Sequence, residues 1–203
     1  MELILPDLET YATIEVGPGR PMDDDEYFEF CAQNRKVRIE REATGEIVIM
    51  PPAGFESGYR NNEIGRQLAN WAKKDGRGVA LGSNTEYFLP NGAAFAPDAS
   101  WVSKQRLADF TKDQKKKFLH LCPEFVIELM SPSDRLSKAM AKMVQWVENG
   151  AALGWLIDAD RRIAYIYRPG QEPEEMAEPD YLLGEGPVSG FRLELADVWR
   201  GLE

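Results

Sequence analysis

The pattern of apolar and polar positions in the first part of the chain predicts helices alternating with strands. Segment 22–33 has acids in its first turn and apolar residues at helical spacing, which predicts a helix. Segments 36–42 and 46–50 alternate or run apolar around the turn "ATG", which indicates a β-hairpin. The apolar residues of 57–78 recur at helical spacing, and Gly76 is placed to end that helix.

Strand signals predominate in the remainder of the chain, interrupted by one long helix. Asn91-Gly92 is predicted as the turn between the second and third of these strands. The expected strands are 78–82, 86–90, 97–102, 124–130, 153–158, 162–167 and part of 191–199, with a helix at 134–149, a polar, partly helical segment at 104–118 and a loop or edge region at 168–180. This order predicts the α/β (α+β) class, a mixed β-sheet flanked by helices.

Length and composition limit the classes of protein that the chain can be. Its 203 residues fit an extended N-terminal arm (1–21) followed by a single domain (22–203). Two cysteines without a shared motif and a single histidine do not match the usual zinc ligand sets. With no long apolar run either, we expect a reduced, cytoplasmic protein that does not enter a membrane.

The net charge of −10 argues against broad electrostatic capture of nucleic acid. It does not exclude an enzyme that acts on nucleic acid, because divalent cations held by acidic residues can supply the positive charge that a phosphate needs. Basic residues are clustered at 34–38 and 112–118. Both clusters are interpreted here as solvated surface.

Glu128 is the first candidate functional residue, because it lies within the apolar run 124–130. Such a run predicts a strand buried on both faces, where an ionised carboxylate is costly unless it is paired or bound to a metal. One interpretation is therefore a buried salt bridge to Lys138 or Lys142, which share a face of the following helix. The other is a metal site.

Asp98 is the second candidate, at the start of the strand 97–102. If that strand neighbours 124–130, Asp98 and Glu128 converge, and a divalent cation between them would relieve their repulsion. Oxygen ligands without histidine favour Mg²⁺ or Mn²⁺ over zinc. Asp98 can equally be a turn residue that caps a hairpin.

Two further residues could complete this set. Glu63 lies in the first long helix, where it could be a metal ligand. The alternative is an exposed helix acid that pairs with Arg66 or Gln67. Lys142 could stabilise a nucleophile or the charge that develops on a phosphate, whereas Lys138 is more simply a surface residue.

These residues carry a resemblance to a known family. Pro97-Asp98, then Glu128 in an apolar strand, then a helical lysine resemble the PD-(D/E)XK nuclease superfamily. Within it, "SPSDRLSKAMAKMVQWVENGAALGWLID", "NTEYFLPNGAAFAPDASWV" and "CPEFVIELMSPSD" resemble the bacterial Uma-two family, whose members are labelled as candidate restriction endonucleases. The similarity extends from about residue 22 to residue 200 and therefore covers most of the chain.

The resemblance implies a restriction-endonuclease-like α-β-β-β-α-β core with Mg²⁺ held by Asp98 and Glu128. It assigns the catalytic lysine to Lys142, and Glu63 matches an acid that some members carry on the first core helix. The superfamily pattern expects a lysine at position 130, which is Met130 here. In this chain the lysine comes from the following helix instead.

Two classes of function follow from the sequence. The first is a Mg²⁺- or Mn²⁺-dependent endonuclease that hydrolyses DNA with metal-activated water, as a homodimer with paired sites. The second is a catalytically weak or inactive protein of the same fold that acts as a binding or assembly module, for which a Lys142–Glu128 bond would be the sign. A two-carboxylate glycosidase is disfavoured, because it leaves the lysine without a role and lacks sugar-stacking aromatic signals.

Overall fold

The structure is a computed structural model that describes residues 22–50, 52–132 and 134–202, together with the backbone of 12–14. Most of the predicted arm 1–21 therefore lies outside the described residues. The helices are α1 (Asp24–Gln33), α2 (Phe55–Asp75), α3 (Lys104–Ala108), α4 (Leu136–Glu148) and α5 (Ala196–Arg200). The strands are β1 (Ala12–Ile14), β2 (Arg38–Arg41), β3 (Ile47–Met50), β4 (Gly78–Gly82), β5 (Tyr87–Phe88), β6 (Ala94–Phe95), β7 (Ala99–Ser103), β8 (Leu119–His120), β9 (Phe125–Leu129), β10 (Leu153–Asp158), β11 (Ile163–Tyr167), β12 (Glu174–Ala177), β13 (Tyr181–Leu183) and β14 (Arg192–Glu194).

The strands of the described residues form two six-stranded sheets and one two-stranded sheet. The first sheet has the order β1-β3-β2-β6-β5-β8, and the second has the order β12-β11-β10-β9-β7-β4. In the second sheet β9 and β10 are parallel, whereas the other neighbours are antiparallel. The predicted class, a mixed sheet flanked by helices, is confirmed, and α2-β4-β7-β9-α4-β10 follows the expected α-β-β-β-α-β order.

The predicted turn at Asn91-Gly92 exists, and the predicted strand 97–102 corresponds to β7, but the turn does not lead directly into that strand. The turn joins β5 to β6, and both of these strands belong to the first sheet. The strand that carries Ser100 and Trp101 is β7, which belongs to the second sheet. β6 was missed because two residues are too few to show an alternating pattern.

β9 is the central strand for the site, and all five of its residues are buried. Phe125 and Ile127 pack in the core on the α2 side, with Ile64 and Leu68. Val126 packs in the core on the α4 side, with Met143 and Trp146. Because side chains alternate along a strand, Glu128 shares the α4 side with Val126.

α4 packs very close to the sheet because the residue of β10 that it contacts, Gly154, has no side chain. A Cβ atom at Gly154 would lie 2.5 Å from Cε of Met143. α4, the helix predicted at 134–149, is amphipathic, with Met143 buried and Leu136, Met140 and Val147 packed against the same core. Within the described part of the chain, no helix has both the length and the apolar character needed to cross a membrane.

Candidate active site

Asp98 and Glu128 lie on two neighbouring strands in the interior of the second sheet, where β7 begins and β9 ends. β7 pairs antiparallel with β9 through Ala99↔Ile127, and this register carried one residue further places Asp98 opposite Glu128. Oδ2 of Asp98 accepts a hydrogen bond from the backbone N–H of Leu129 at 2.8 Å. The predicted convergence of the two carboxylates is therefore confirmed, because neighbouring antiparallel strands present opposed residues on the same face.

Two side chains of α4 bind the same oxygen of Glu128. Nε1 of Trp146 donates to Oε1 at 2.8 Å, and Nζ of Lys142 lies 2.9 Å from Oε1. Within the described residues, no hydrogen bond is directed at Oε2. Glu128 is thus fixed through one oxygen, and the other has no donor among these residues.

Lys142 is shared between two buried carboxylates. Its Nζ also donates to Oε1 of Glu40 on β2 at 2.9 Å, and it lies over the ring of Phe95. Burial by itself would lower the pKa of Lys142, but Glu128 and Glu40 outweigh it and raise that pKa. Lys142 is therefore a charged ammonium at the pH of the cell.

The charge of Glu128 is not fully compensated by this one ammonium. Burial raises the pKa of Glu128 to about 7; Lys142 opposes the rise, whereas Asp98 and Glu40 add to it. A further buried carboxyl, Glu86, accepts a hydrogen bond from Tyr27, and burial raises the pKa of Glu86 to about 8. The cluster consequently carries more acidic than basic groups, which is the condition that favours binding of a cation.

Asp98 is held by residues of two other elements. Oδ1 accepts from Nδ2 of Asn61 on α2 at 2.9 Å and from Nη1 of Arg38 on β2 at 3.3 Å. Arg38 also contacts Glu40 and the carbonyl of Ala96. Oδ1 of Asn61 is buried and has no hydrogen-bond partner among the described residues. An amide oxygen without a partner beside Asp98 is a ready-made ligand for a hard cation.

Glu63 is not brought to this cluster. Its two carboxylate oxygens accept hydrogen bonds from Arg66 and Gln67, and Gln67 in turn bonds to the backbone of Glu194. Glu63 and Asn61 are two residues apart on α2 and so lie on nearly opposite sides of the helix. The pairing with Arg66 and Gln67 was the alternative interpretation of Glu63, and the structure has that pairing.

The carboxylate pair lies in a large cleft. The cleft has a volume of about 1200 Å³, and its lining includes Asp98, Glu128 and Lys142. Lys138 also lines it, but the residue in contact with Glu128 is Lys142. Arg35 and Lys36 line the cleft as well, so part of the basic cluster 34–38, interpreted from the sequence as plain solvated surface, borders this site.

The donor set fits a divalent cation bound jointly by protein and substrate. In the described part of the chain, no group of three or more His, Cys, Asp or Glu side chains is placed to hold a metal ion by itself. Two carboxylates and an amide oxygen nevertheless suit Mg²⁺, which commonly takes one or two carboxylates and completes its shell with water and phosphate oxygens. The residues present therefore fit the implied metal.

The sequence did not identify four of the residues around this pair, Arg38, Glu40, Asn61 and Trp146. A signal existed for two of them, because alternation in the strand 36–42 puts Arg38 and Glu40 on one face of a largely buried strand. Asn61 had no such signal, since a polar residue in the first turns of a helix is ordinarily exposed. Trp146 is buried in the core, and its hydrogen bond depends on how α4 packs on β9.

The fold is a mixed α/β fold that a solved structure shares. A solved structure described as "a putative nuclease belonging to DUF820", from Anabaena variabilis, matches with a TM-score of 0.68. The two sequences are 23% identical, and the match covers 81% of this chain and 91% of that one. At this level of identity the likeness shows the fold.

The chain belongs to the Uma2 family, which is described as "Putative restriction endonuclease" and whose profile matches residues 24–196. The resemblance inferred from the sequence motifs is thereby confirmed. No curated protein matches the chain.

Proposed function

We propose that this protein is a divalent-metal-dependent endonuclease that hydrolyses phosphodiester bonds in DNA. The observation that carries the proposal is the position of Asp98 opposite Glu128, with Lys142 in contact with Glu128, on the wall of one large cleft. Membership of a family described as restriction endonucleases supports the choice of reaction. The acidic chain needs a cation to approach a polyphosphate, and a carboxylate pair whose charge is only partly compensated by Arg38 and Lys142 is suited to hold one.

Asp98 and Glu128 would hold Mg²⁺ or Mn²⁺, with Oδ1 of Asn61 as a third oxygen ligand. Oε2 of Glu128 is the natural ligand atom, because Oε1 is already bonded to Trp146 and Lys142. When bound, such an ion lowers the pKa of water and stabilises the negative charge that develops on a phosphate. This chemistry is the one that phosphodiester hydrolysis requires.

The other residues of the cluster would orient the reacting groups. Trp146 fixes the rotamer of Glu128, and Arg38 and Asn61 fix that of Asp98. Lys142 supplies a fixed positive charge beside Glu128, where it would attract the scissile phosphate and stabilise its added charge. Glu63 has no part in this proposal, because both of its oxygens are bonded elsewhere.

Titration calorimetry with Mn²⁺ tests the metal site. We expect binding by the parent chain, strongly weakened binding by Asp98→Asn and Glu128→Gln, and parent-like binding by Glu175→Gln, which changes an exposed acid on the edge strand β12. The titration is repeated with a short oligonucleotide, which supplies phosphate oxygens. Absence of Mn²⁺ binding in both titrations would refute the metal site.

Cleavage is then measured on plasmid and oligonucleotide DNA with Mg²⁺ or Mn²⁺. The parent and Glu175→Gln are expected to cut, and the two site variants are expected to lose at least about a hundredfold in rate, as for loss of a principal electrostatic group. If the protein binds metal but leaves every DNA substrate intact, the proposed nuclease activity is refuted.

One observation favours the second candidate, a binding or assembly module of the same fold. Lys142 bridges Glu128 and Glu40, so a large part of the buried charge is paired by the protein itself. In a module of this kind the Asp98→Asn and Glu128→Gln variants would change the stability of the fold and leave any binding of a partner intact. The predicted homodimer also stays a prediction, which the molar mass from light scattering would decide.

A further inference from the structure

Phe55 is an unusual side chain for the wall of a cleft. It is 87% exposed, whereas the other exposed large apolar side chains of the described residues range from 37% to 57%. Leaving a phenylalanine in water forgoes about 1.5–3 kcal/mol relative to burying it. This cost is recovered when a bound ligand or partner covers the ring, so an exposed apolar side chain of this kind indicates a binding site.

Phe55 lines the same cleft as Asp98, Glu128 and Lys142. It is the first residue of α2, and Asn61, which bonds to Asp98, is six residues further along that helix. At 1.5 Å per residue the two positions are about 9 Å apart along the helix axis. This separation corresponds to roughly two or three nucleotides at about 3.4 Å each.

Most of the exposed charged side chains that line the cleft are basic; the exposed acid among the described lining residues, Glu56, is paired with Arg60. Arg35 and Lys36, in the connection between α1 and β2, are exposed, and so is Arg135 at the start of α4. In a chain with a net charge of −10, basic groups gathered at one cleft complement the phosphates of a nucleic acid strand. An exposed aromatic ring beside cationic groups is the combination by which proteins bind single-stranded nucleic acid.

We infer that Phe55 is a stacking surface for a nucleobase, and that the cleft takes DNA with an unpaired base, either single-stranded or locally opened. The inference rests on the proposed function, because it assumes that the cleft binds DNA. In an intact duplex the faces of the bases are covered by their neighbours, so the ring can stack only on a base that has left the stack or ends it. Duplex DNA without an opening is therefore the poorer ligand.

Fluorescence anisotropy with labelled oligonucleotides tests this inference without any cleavage. Binding is measured at low salt with Ca²⁺, a hard cation that also takes oxygen ligands, on single-stranded and fully paired DNA of the same sequence. We expect the parent to prefer the single strand, and Phe55→Ala to weaken single-strand binding by about 5- to 150-fold while leaving duplex binding nearly unchanged. Phe55→Trp is expected to keep the preference, and Leu183→Ala, which truncates an exposed apolar residue outside the cleft, to behave as the parent.

A second readout reports stacking directly. Oligonucleotides with 2-aminopurine at successive positions are expected to show quenched fluorescence with the parent at one position, and no quenching there with Phe55→Ala. Equal single-strand affinity of the parent and Phe55→Ala, or equal losses on single strand and duplex, would overturn the inference. Absence of DNA binding by the parent would also overturn it. So would a parent dimer that becomes a monomer in Phe55→Ala, because Phe55 would then be covered by a second copy of the chain.

Cleavage and binding separate this inference from the proposed function. Single-strand binding that depends on Phe55, in a chain that cuts no DNA, would retain the stacking surface and refute the nuclease. Cleavage by the parent with unchanged binding by Phe55→Ala would retain the nuclease and refute the stacking surface.

Discussion

Nζ of Lys142 lies 2.9 Å from Oε1 of Glu128, so a helix supplies the cation that the strand itself lacks. Position 130, two residues after Glu128, is Met130, and its side chain packs against the core on the α4 side. Because α4 packs closely over Gly154, an ammonium from its middle turns reaches the strand end. The charge at the site thus depends on the packing of α4.

Replacement of Lys142 by methionine tests how much this ammonium stabilises the fold. We expect Lys142→Met to lower the free energy of unfolding by about 3 kcal/mol at pH 8, because Glu128 and Glu40 lose their shared partner. Without Lys142 the pKa of Glu128 rises further, so Glu128 takes up a proton in the folded state that it does not hold in the unfolded state. The loss of free energy of unfolding is therefore smaller at pH 6 than at pH 8. Urea unfolding at pH 6 and pH 8 measures this loss of stability.

Lys138→Met is the matched control, one turn earlier on α4 and exposed. It is expected to change the free energy of unfolding by about 0.5 kcal/mol or less. A Lys142→Met loss that is the same at pH 6 and pH 8 would contradict the charge-based explanation.

Trp146 and Trp155 separate the hydrogen bond to Glu128 from the effect of removing a buried indole. Both are fully buried, but Nε1 of Trp146 donates to Glu128, whereas Nε1 of Trp155 has no partner in the described structure. Trp146→Phe is expected to weaken Mn²⁺ binding by about tenfold, as loss of a residue that orients a ligand does. Trp155→Phe is expected to keep the parent's Mn²⁺ affinity, and calorimetry compares the two. Equal effects would show that Trp146 acts only through packing.

The two positions on α2 give a further test of the site. Asn61→Ala is expected to weaken Mn²⁺ binding, because it removes a hydrogen bond to Asp98 and an amide oxygen that has no hydrogen-bond partner in the described part of the chain. Glu63→Gln is expected to leave Mn²⁺ affinity unchanged and to lower the free energy of unfolding by about 1 kcal/mol or less, since its partner Arg66 is largely exposed. A strong loss of affinity in Glu63→Gln would restore Glu63 as a ligand.

Glu86 predicts a pH dependence of stability. Burial raises the pKa of Glu86 to about 8, against an ordinary value of 4.5. Glu40 adds to this rise, whereas the hydrogen bond from Tyr27 and the charges of Arg38 and Lys142 oppose it. Between roughly pH 5 and 8 the folded state therefore binds a proton that the unfolded state has lost, and stability falls as pH rises, by on the order of 1 kcal/mol per pH unit.

Glu86→Gln removes this titration and keeps an acceptor for Tyr27. We therefore expect the variant to become more stable than the parent as pH rises from 6 to 9, as measured by urea unfolding. The contribution of Glu128 is present in both proteins and cancels in the difference. Glu29→Gln, at an exposed position of α1, is the control and should follow the parent. A constant difference across pH would refute the raised pKa of Glu86.

Local sequence determined the longer elements and the two acids of the site. Periodicity alone indicated α2, α4, the β2–β3 hairpin and the buried strand β9, because burial of one helix face or of a whole strand leaves a regular apolar pattern. The cost of burying Glu128 marked it as a residue that needs compensation, and this argument requires no knowledge of its neighbours. The motifs around Asp98 and Glu128 then identified the family.

The tertiary structure alone decided which side chains complete the site. Arg38 and Glu40 come from the other sheet, Asn61 from the opposite side of α2 to Glu63, and Trp146 from the core face of α4. Their contacts depend on how the two sheets and the helices pack, with sequence separations of 18 to 102 residues. Local patterns specify which face of an element is buried, but the partner that covers this face is chosen by packing between elements distant in sequence.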